Sequence, residues 1–228
     1  MTIKQDYKLT FSNRKTLGLY INGGVLEVKA PRGCSQARID RFLMSKEAWI
    51  KEKLAISKEI AQKSANFVLG YGSSIMYLGK AYRIISREGN RIGFDEDNGF
   101  YMPPDLSPAE IRACCIKIYR MLAKNELTNR SLDFAQIMGV TPSAIKINGA
   151  KTRWGSCSSK GNINYSFKLV MADSDIVDYV VVHELAHLTE MNHSKRFWDI
   201  VEGVIPDYRQ YNDRLRYLQR RILSENWD

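Results

Sequence analysis

The sequence predicts an α+β fold with a β-rich first part and a more helical second part. Residues 7–102 contain several short runs in which apolar and polar side chains alternate, as they do in half-buried strands. After residue 107 the apolar residues recur mainly at helical spacing. Pro103-Pro104 lies between the two patterns. We therefore expect a β-rich N-terminal region with one long helix over residues 1–102, and a second domain over residues 103–228.

The N-terminal region is expected to contain a β-hairpin followed by a helix. Asn22-Gly23-Gly24 separates two alternating runs and is typical of a hairpin turn. From about Gln36 to Gln62 the spacing of apolar residues predicts one long helix. The buried stripe of this helix is expected to contain Ile39, Phe42, Leu43, Trp49, Ile50 and Leu54. Short strands are expected again within residues 74–102.

The second domain is expected to begin with a capped helix. Ser107 and Glu110 have the spacing of a capping box, and Pro108 suits the first helical position. The helix is expected to run towards Met138, with or without a break. Farther along the chain, residues 162–171 alternate cleanly and predict a strand. This strand lies either at a sheet edge beside a cleft or inside a sheet with both edges paired.

All three histidines of the chain fall within residues 183–193, in the pattern H-E-x-x-H followed by five residues and a third histidine. Residues four apart on a helix share a face, so His183 and His187 can direct two imidazoles at one point. Neutral imidazole is a good ligand for Zn²⁺. Glu184 lies about 100° round the helix, where it can accept a proton from a water that the metal acidifies.

A catalytic zinc needs a third protein ligand and an open position. His193 is the remaining histidine, and the short segment before it can fold back to present the ring. Glu202 is a weaker alternative for the third ligand. A purely structural zinc is another interpretation, with Cys157 as a residue that folding can bring near.

The helix that carries the motif is expected to be buried, because residues 176–188 are apolar nearly all round it. Asp173 or Ser174 can cap its N-terminus. Two imidazoles and a carboxylate in such a helix are costly unless a partner satisfies them, and a bound cation would do so.

Three segments together carry a family resemblance. They are Arg153-Trp154-Gly155-Ser156-Cys157-Ser158, Gly161-Asn162-Ile163-Asn164, and the His183–His187 motif with His193, Phe197 and Trp198 beyond it. The set resembles the YgjP-like metallopeptidases, relatives of the WLM and SprT-like zincin proteases. The resemblance implies a zincin-like catalytic domain, zinc ligation by the three histidines and general acid–base catalysis by Glu184. It also implies that the strand before the metal helix binds an extended substrate.

Composition favours an ordinary globular protein that contains no membrane span. Hydrophobic residues make up 44 % of the chain, and no apolar run is long enough to cross a bilayer. The first residues contain no apolar signal-peptide core, and the four cysteines show no C-x-x-C spacing, so a cytoplasmic location is expected. The net charge of +9 favours contact with nucleic acid or other anionic partners, although the basic residues are spread along the chain.

We expect a zinc-dependent metallopeptidase that hydrolyses peptide bonds in a peptide or protein substrate. Asn164, Ser166 and Tyr208 are candidate substrate-binding residues. The candidates for stabilising the oxyanion are Tyr208, Tyr211, Arg209 and Arg153. One alternative is a SprT-like protease in nucleic-acid maintenance, which predicts salt-sensitive DNA binding. Another is a non-enzymatic metal-binding adaptor, although an adaptor could dispense with the glutamate that is present here.

Overall fold

Residues 6–227 are described by a computed structural model, and they form ten β-strands, six α-helices and two 3₁₀ helices. This content confirms the predicted α+β class. The chain forms two compact units. One contains residues 6–67 with Leu223–Glu225, and the other contains Val68–Ile222 with residues 226–227. The expected domain boundary between residues 102 and 103 stays a prediction. In the structure the strands after Phe67 belong to the same unit as the histidines.

The first unit is built on a three-stranded sheet. Its strands are β1 (Tyr7–Ser12), β2 (Gly18–Asn22) and β3 (Val25–Pro31), in the order β1-β3-β2. Strand β3 pairs antiparallel with β2 and parallel with β1. Gly23 and Gly24 form the turn between β2 and β3 with φ angles of 55° and 80°, a conformation that glycine adopts without steric cost. The predicted hairpin is therefore confirmed.

The prediction of one long helix in this region is wrong, because the helix breaks after ten residues. Helix α1 spans Gln36–Ser45 and helix α2 spans Glu47–Asn66. Between them, Lys46 has φ −116° and ψ 13°, outside the helical region. Most of the expected stripe is buried against the sheet, but Trp49 is 39 % exposed. The break after Ser45 interrupts the periodicity on which the expectation for Trp49 rested.

The second unit begins with a four-stranded sheet. Its strands are β4 (Ser74–Tyr77), β5 (Lys80–Ser86), β6 (Gly93–Asp95) and β7 (Gly99–Met102), in the order β4-β5-β7-β6. Strand β5 pairs antiparallel with β4 and parallel with β7. These strands agree with the short strands expected within residues 74–102.

Helix α3 (Pro108–Met138) runs without a break for 31 residues. Ser107 and Glu110 form the predicted capping box, in which each residue's side chain accepts a hydrogen bond from the other's backbone N–H. Gly139, in the left-handed conformation, ends the helix. The buried face of α3 packs against the helix that carries the first two histidines.

A second three-stranded sheet lies next to that helix. It contains β8 (Ala144–Asn148), β9 (Gly155–Cys157) and β10 (Asn162–Ser166), in the order β8-β10-β9. Strand β10 therefore has both edges paired, and the interpretation that placed it at a sheet edge is wrong. The predicted strand is also too long, because Phe167–Met171 form a 3₁₀ helix whose side chains are all buried.

The motif helix α4 (Ser174–Ala186) is buried, as predicted. Nine of its residues are buried: Ile176, Val177, Tyr179, Val180, Val181, Val182, Glu184, Leu185 and Ala186. Asp173 occupies the N-cap position, but its carboxylate accepts no hydrogen bond from the N–H groups of the first helical turn. The carboxylate pairs with Arg214. Arg130 of α3 forms a salt bridge with Asp178 of α4, which links the two helices. The chain continues through α5 (Lys195–Val204), a 3₁₀ helix at Tyr208–Gln210 and α6 (Tyr211–Glu225).

Within residues 6–227, no helix combines the length and the apolar character that a bilayer crossing needs.

Candidate active site

Three imidazole rings converge at the end of α4. His183 lies in the last turn of the helix, His187 is its C-cap residue, and His193 lies in the loop that leads to α5. One ring nitrogen from each histidine lies within 4.8 Å of the other two. The Nε2 atoms of His183 and His193 are 3.1 Å apart. The structure thus brings together the three histidines that the sequence predicted would converge.

This arrangement fits a divalent metal ion. Ligands at about 2.0–2.1 Å from a tetrahedral zinc lie about 3.3 Å from each other, close to the observed separation of the two Nε2 atoms. Burial and the neighbouring imidazoles lower the pKa of His183 to about 3. Burial also lowers the pKa of His187. Both rings are therefore neutral at physiological pH, which is the form that binds a metal.

The chain between α4 and α5 turns back within a few residues to present His193. The N–H groups of Leu188 and Glu190 donate to carbonyl groups of the last helical turn, so the backbone curls tightly after the helix. Ser194 then caps α5, because its Oγ accepts a hydrogen bond from the backbone N–H of Phe197. The position of His193 is thus set by backbone hydrogen bonds before it and by the side-chain cap of Ser194 after it.

Phe197 packs against all three histidines. Its ring centroid lies 4.9 Å from that of His183, 4.5 Å from that of His187 and 4.7 Å from that of His193. The side chain is fully buried, at 0 % exposure. The sequence analysis named Phe197 only as part of the family resemblance and assigned it no contact with the histidines. Its spacing of four residues from Val201 indicates a buried helix face, but spacing alone does not show what that face contacts.

Glu184 lies buried between α4 and strand β9. It is 6 % exposed, and burial raises the pKa of its carboxyl group to about 7, against the opposing effect of the Arg153 guanidinium. A Cβ atom built on Gly155 would lie 2.5 Å from Cγ and 2.5 Å from Oε1 of Glu184. The pKa of the Cys157 thiol, two residues from Gly155 on β9, is raised by burial and by the negative charge of Glu184 on α4. Sequence reasoning did not connect Gly155 with Glu184.

The candidate substrate-binding residues of β10 lie on a small polar recess. Asn164 and Ser166 line it together with Arg153, Ser156 and Asn148. Ser166 is buried, and its Oγ donates a hydrogen bond to the carbonyl oxygen of Ala150 at 3.1 Å. Because β10 is paired on both sides, its backbone has no free edge for a peptide.

Two stacked aromatic pairs lie close to the histidines. Trp198, whose ring is 5.7 Å from that of His193, stacks on Tyr208 at 4.9 Å. Tyr179, whose ring is 6.0 Å from that of His183, stacks on Tyr211 at 5.2 Å. Tyr208 and Tyr211 are both buried, and their expected roles in binding substrate or an oxyanion stay predictions.

Among residues 6–227, the cluster of side chains that could hold a metal ion consists of the three histidines. Glu202, the alternative third ligand, is not part of it. Its carboxylate lies 4.0 Å from the guanidinium of Arg209. The structure therefore favours His193 over Glu202 as the third ligand.

The pattern of the YgjP-like family, described as a metallopeptidase domain, matches residues 15–218. The chain belongs to the YgjP-like family. This match covers most of both compact units and shows a metallopeptidase domain. The family assignment expected from the sequence is thus confirmed. Neither the family nor the geometry bears on nucleic acid or on location in the cell, so those expectations stay predictions.

One solved structure similar to this YgjP-like chain is the crystal structure of the metallopeptidase zymogen of Pyrococcus abyssi abylysin. The identity is 25 % and the TM-score is 0.37. The match covers 39 % of this chain and 90 % of that chain. A comparison with curated proteins finds no match.

Proposed function

We propose that this YgjP-like metallopeptidase is a zinc enzyme that hydrolyses peptide bonds, with His183, His187 and His193 as ligands and Glu184 as general base. The observation that carries the proposal is the convergence of three imidazoles, with a buried carboxylate on the helical residue that follows His183. When bound, zinc would acidify a water molecule and polarise the carbonyl group of the scissile bond. The histidine side chains are the donor set that zinc prefers in catalytic sites with three protein ligands.

The role proposed for Glu184 is to move a proton. A carboxyl group with a pKa near neutrality is suited to general acid–base work, because it can both take up and release a proton at working pH. A nearby dication would favour its ionised form, so that the carboxylate can accept the proton of the attacking water. The protonated acid can then donate that proton to the leaving amine.

The substrate strand is proposed to bind along β9. In the part of the chain that the structure describes, β9 is an outer strand of its sheet, whereas β10 is internal. The free edge of β9 can pair with an extended peptide through main-chain hydrogen bonds, which tolerate many sequences. Strand β9 also packs against α4, next to Glu184. The substrate-binding roles of Asn164, Ser166 and Tyr208 stay predictions.

Two variants test the proposal. Glu184→Gln should keep one zinc per chain but lower peptide hydrolysis by at least about 1000-fold, because the amide cannot accept the proton. His193→Ala should lose both zinc and hydrolysis, since a ligand is removed. Zinc is measured by elemental analysis, and hydrolysis by mass spectrometry of a peptide library with a chelated control. Undiminished turnover by the Glu184 variant, or stoichiometric zinc in the His193 variant, would contradict the assigned roles.

The proposal differs from the adaptor alternative in a measurable way. A metal-binding adaptor would hold zinc but cleave no peptide in the library, with or without chelator. The salt-sensitive DNA binding expected from the net charge is tested separately, by titrating labelled duplex DNA at increasing salt.

A further inference from the structure

Gly155 is a strand residue whose backbone does not require glycine. It lies in β9 and pairs with Tyr165 of β10, and its φ angle is outside the left-handed region. Glycine weakens a strand, because it costs more conformational entropy than other residues and offers no side chain to pack. A glycine in a strand therefore often indicates a place where another group approaches the backbone closely.

The group that approaches Gly155 is the side chain of Glu184. A Cβ atom on Gly155 would lie 2.5 Å from Cγ, 2.5 Å from Oε1 and 2.7 Å from Cδ of that residue. Carbon atoms in ordinary contact stay at least about 3.4 Å apart, so any side chain would displace the carboxyl group by about 1 Å. The conflict includes Cγ as well as the carboxyl end, so rotating the carboxyl group alone would not relieve it.

The surroundings leave Glu184 little room to move elsewhere. Its side chain is 6 % exposed. Gly155 pairs with Tyr165, and Tyr165 is itself fully buried, with its hydroxyl group bonded to Ser131 of α3. A displaced carboxyl group would therefore have to move into packed structure.

We infer that Gly155 is a positioning residue, whose missing side chain provides the space that the carboxyl group of Glu184 occupies between α4 and β9. The inference rests on the proposed role of Glu184 as general base. Gly155 itself supplies no catalytic group. Its contribution is to let β9 and α4 approach closely enough that the carboxylate stays in one place.

The test is a double-mutant cycle read by stability, by zinc content and by kinetics. Gly155→Ala is made in the native protein and in the Glu184→Ala variant, where the side chain that it would meet is absent. Gly203→Ala is the matched control, because a Cβ atom there meets nothing within 4 Å. Melting temperature is measured on zinc-free protein, so that this part does not depend on activity.

In the native protein, Gly155→Ala should lower the melting temperature by about 5 °C. In the Glu184→Ala background, Gly155→Ala should lower the melting temperature by less than half as much. Gly155→Ala should also keep one zinc per chain, while kcat falls by about 100-fold with little change in KM. The Gly203 control should leave zinc content and kcat unchanged and should not lower the melting temperature, because alanine favours the helical conformation of α5 more than glycine does. If Gly155→Ala does not fold alone but folds together with Glu184→Ala, that rescue also supports the inference.

Equal losses of stability from Gly155→Ala in both backgrounds would overturn the inference, because the two side chains would then be uncoupled. Failure to fold in both backgrounds would overturn it for the same reason. An unchanged kcat in a folded, zinc-loaded Gly155→Ala protein would also overturn it. If instead the native protein cleaves no peptide at all, the proposed function fails, while coupling in the zinc-free stability cycle would still show that Gly155 accommodates Glu184.

Discussion

Nδ1 of His187 lies 3.1 Å from the carbonyl oxygen of Glu190. A carbonyl oxygen only accepts hydrogen bonds, so this contact places the proton on Nδ1 and leaves the lone pair of Nε2 free. The turn after α4 thus selects the ring form of His187 that can bind a metal ion. Outer contacts of this kind orient metal ligands and raise their basicity.

The turn at Glu190 should matter through its backbone and not through its carboxylate. Glu190→Pro removes the N–H that donates to the carbonyl of Ala186 at 2.9 Å, so the turn should shift and zinc affinity should fall by about 10–100-fold. Glu190→Ala keeps the bonds of the Glu190 backbone and removes only a long hydrogen bond, at 3.4 Å, that the carboxylate accepts from the N–H of Asn192, so zinc affinity should change little. Affinity is measured by competition with a chromogenic chelator. Equal losses in the two variants would show that the carboxylate is what matters.

Phe197 should support both the stability of the protein and the placement of its ligands. Phe197→Ala removes a fully buried ring and should cost about 3–5 kcal/mol in free energy of unfolding. It should also weaken zinc binding by the folded protein by about tenfold, since all three imidazoles pack on that ring. Urea denaturation measures the first effect and chelator competition the second.

Leu127→Ala is the matched control for the Phe197 variant. Leu127 is equally buried, in α3, so its truncation should lower stability without changing zinc affinity. If both variants weaken zinc binding to the same extent, the loss reflects general destabilisation, and the specific support by Phe197 is refuted.

The capping box of α3 should make stability depend on pH. The Glu110 carboxylate accepts hydrogen bonds from the hydroxyl group and the backbone N–H of Ser107, and these bonds lower its pKa below the usual 4.5. A carboxyl group whose pKa is lowered by folding stabilises the protein above its unfolded pKa. That contribution is lost as the pH falls through the folded value.

Glu110→Gln should therefore lower the melting temperature near pH 7, and the difference from the native protein should shrink as the pH falls below about 4. A gap between native and Glu110→Gln melting temperatures that stays constant with pH would contradict the prediction.

Local patterns were enough to predict the features that depend on a few neighbouring residues. The hairpin turn at Gly23-Gly24, the capping box at Ser107 and Glu110, and the two histidines one turn apart are all specified by residues within four positions of each other. Their backbone geometry follows from steric preference and from hydrogen bonds that the segment makes with itself. The burial of α4 was also predictable, because a helix that is apolar all round needs cover on every side.

Contacts between distant segments decided the rest. Alternation within β10 predicts a strand but not its neighbours, so only the folded sheet shows β8 and β9 on either side of it. Gly155 and Glu184 meet although 29 positions separate them, and Phe197 packs on rings from α4 and the following loop. The sequence by itself therefore determined the chemistry, namely three imidazoles and a carboxylate, because ligand type and helical spacing are local properties. The tertiary structure decided how that carboxylate is packed and which strands lie at the edges of the sheet, because packing between distant segments sets both.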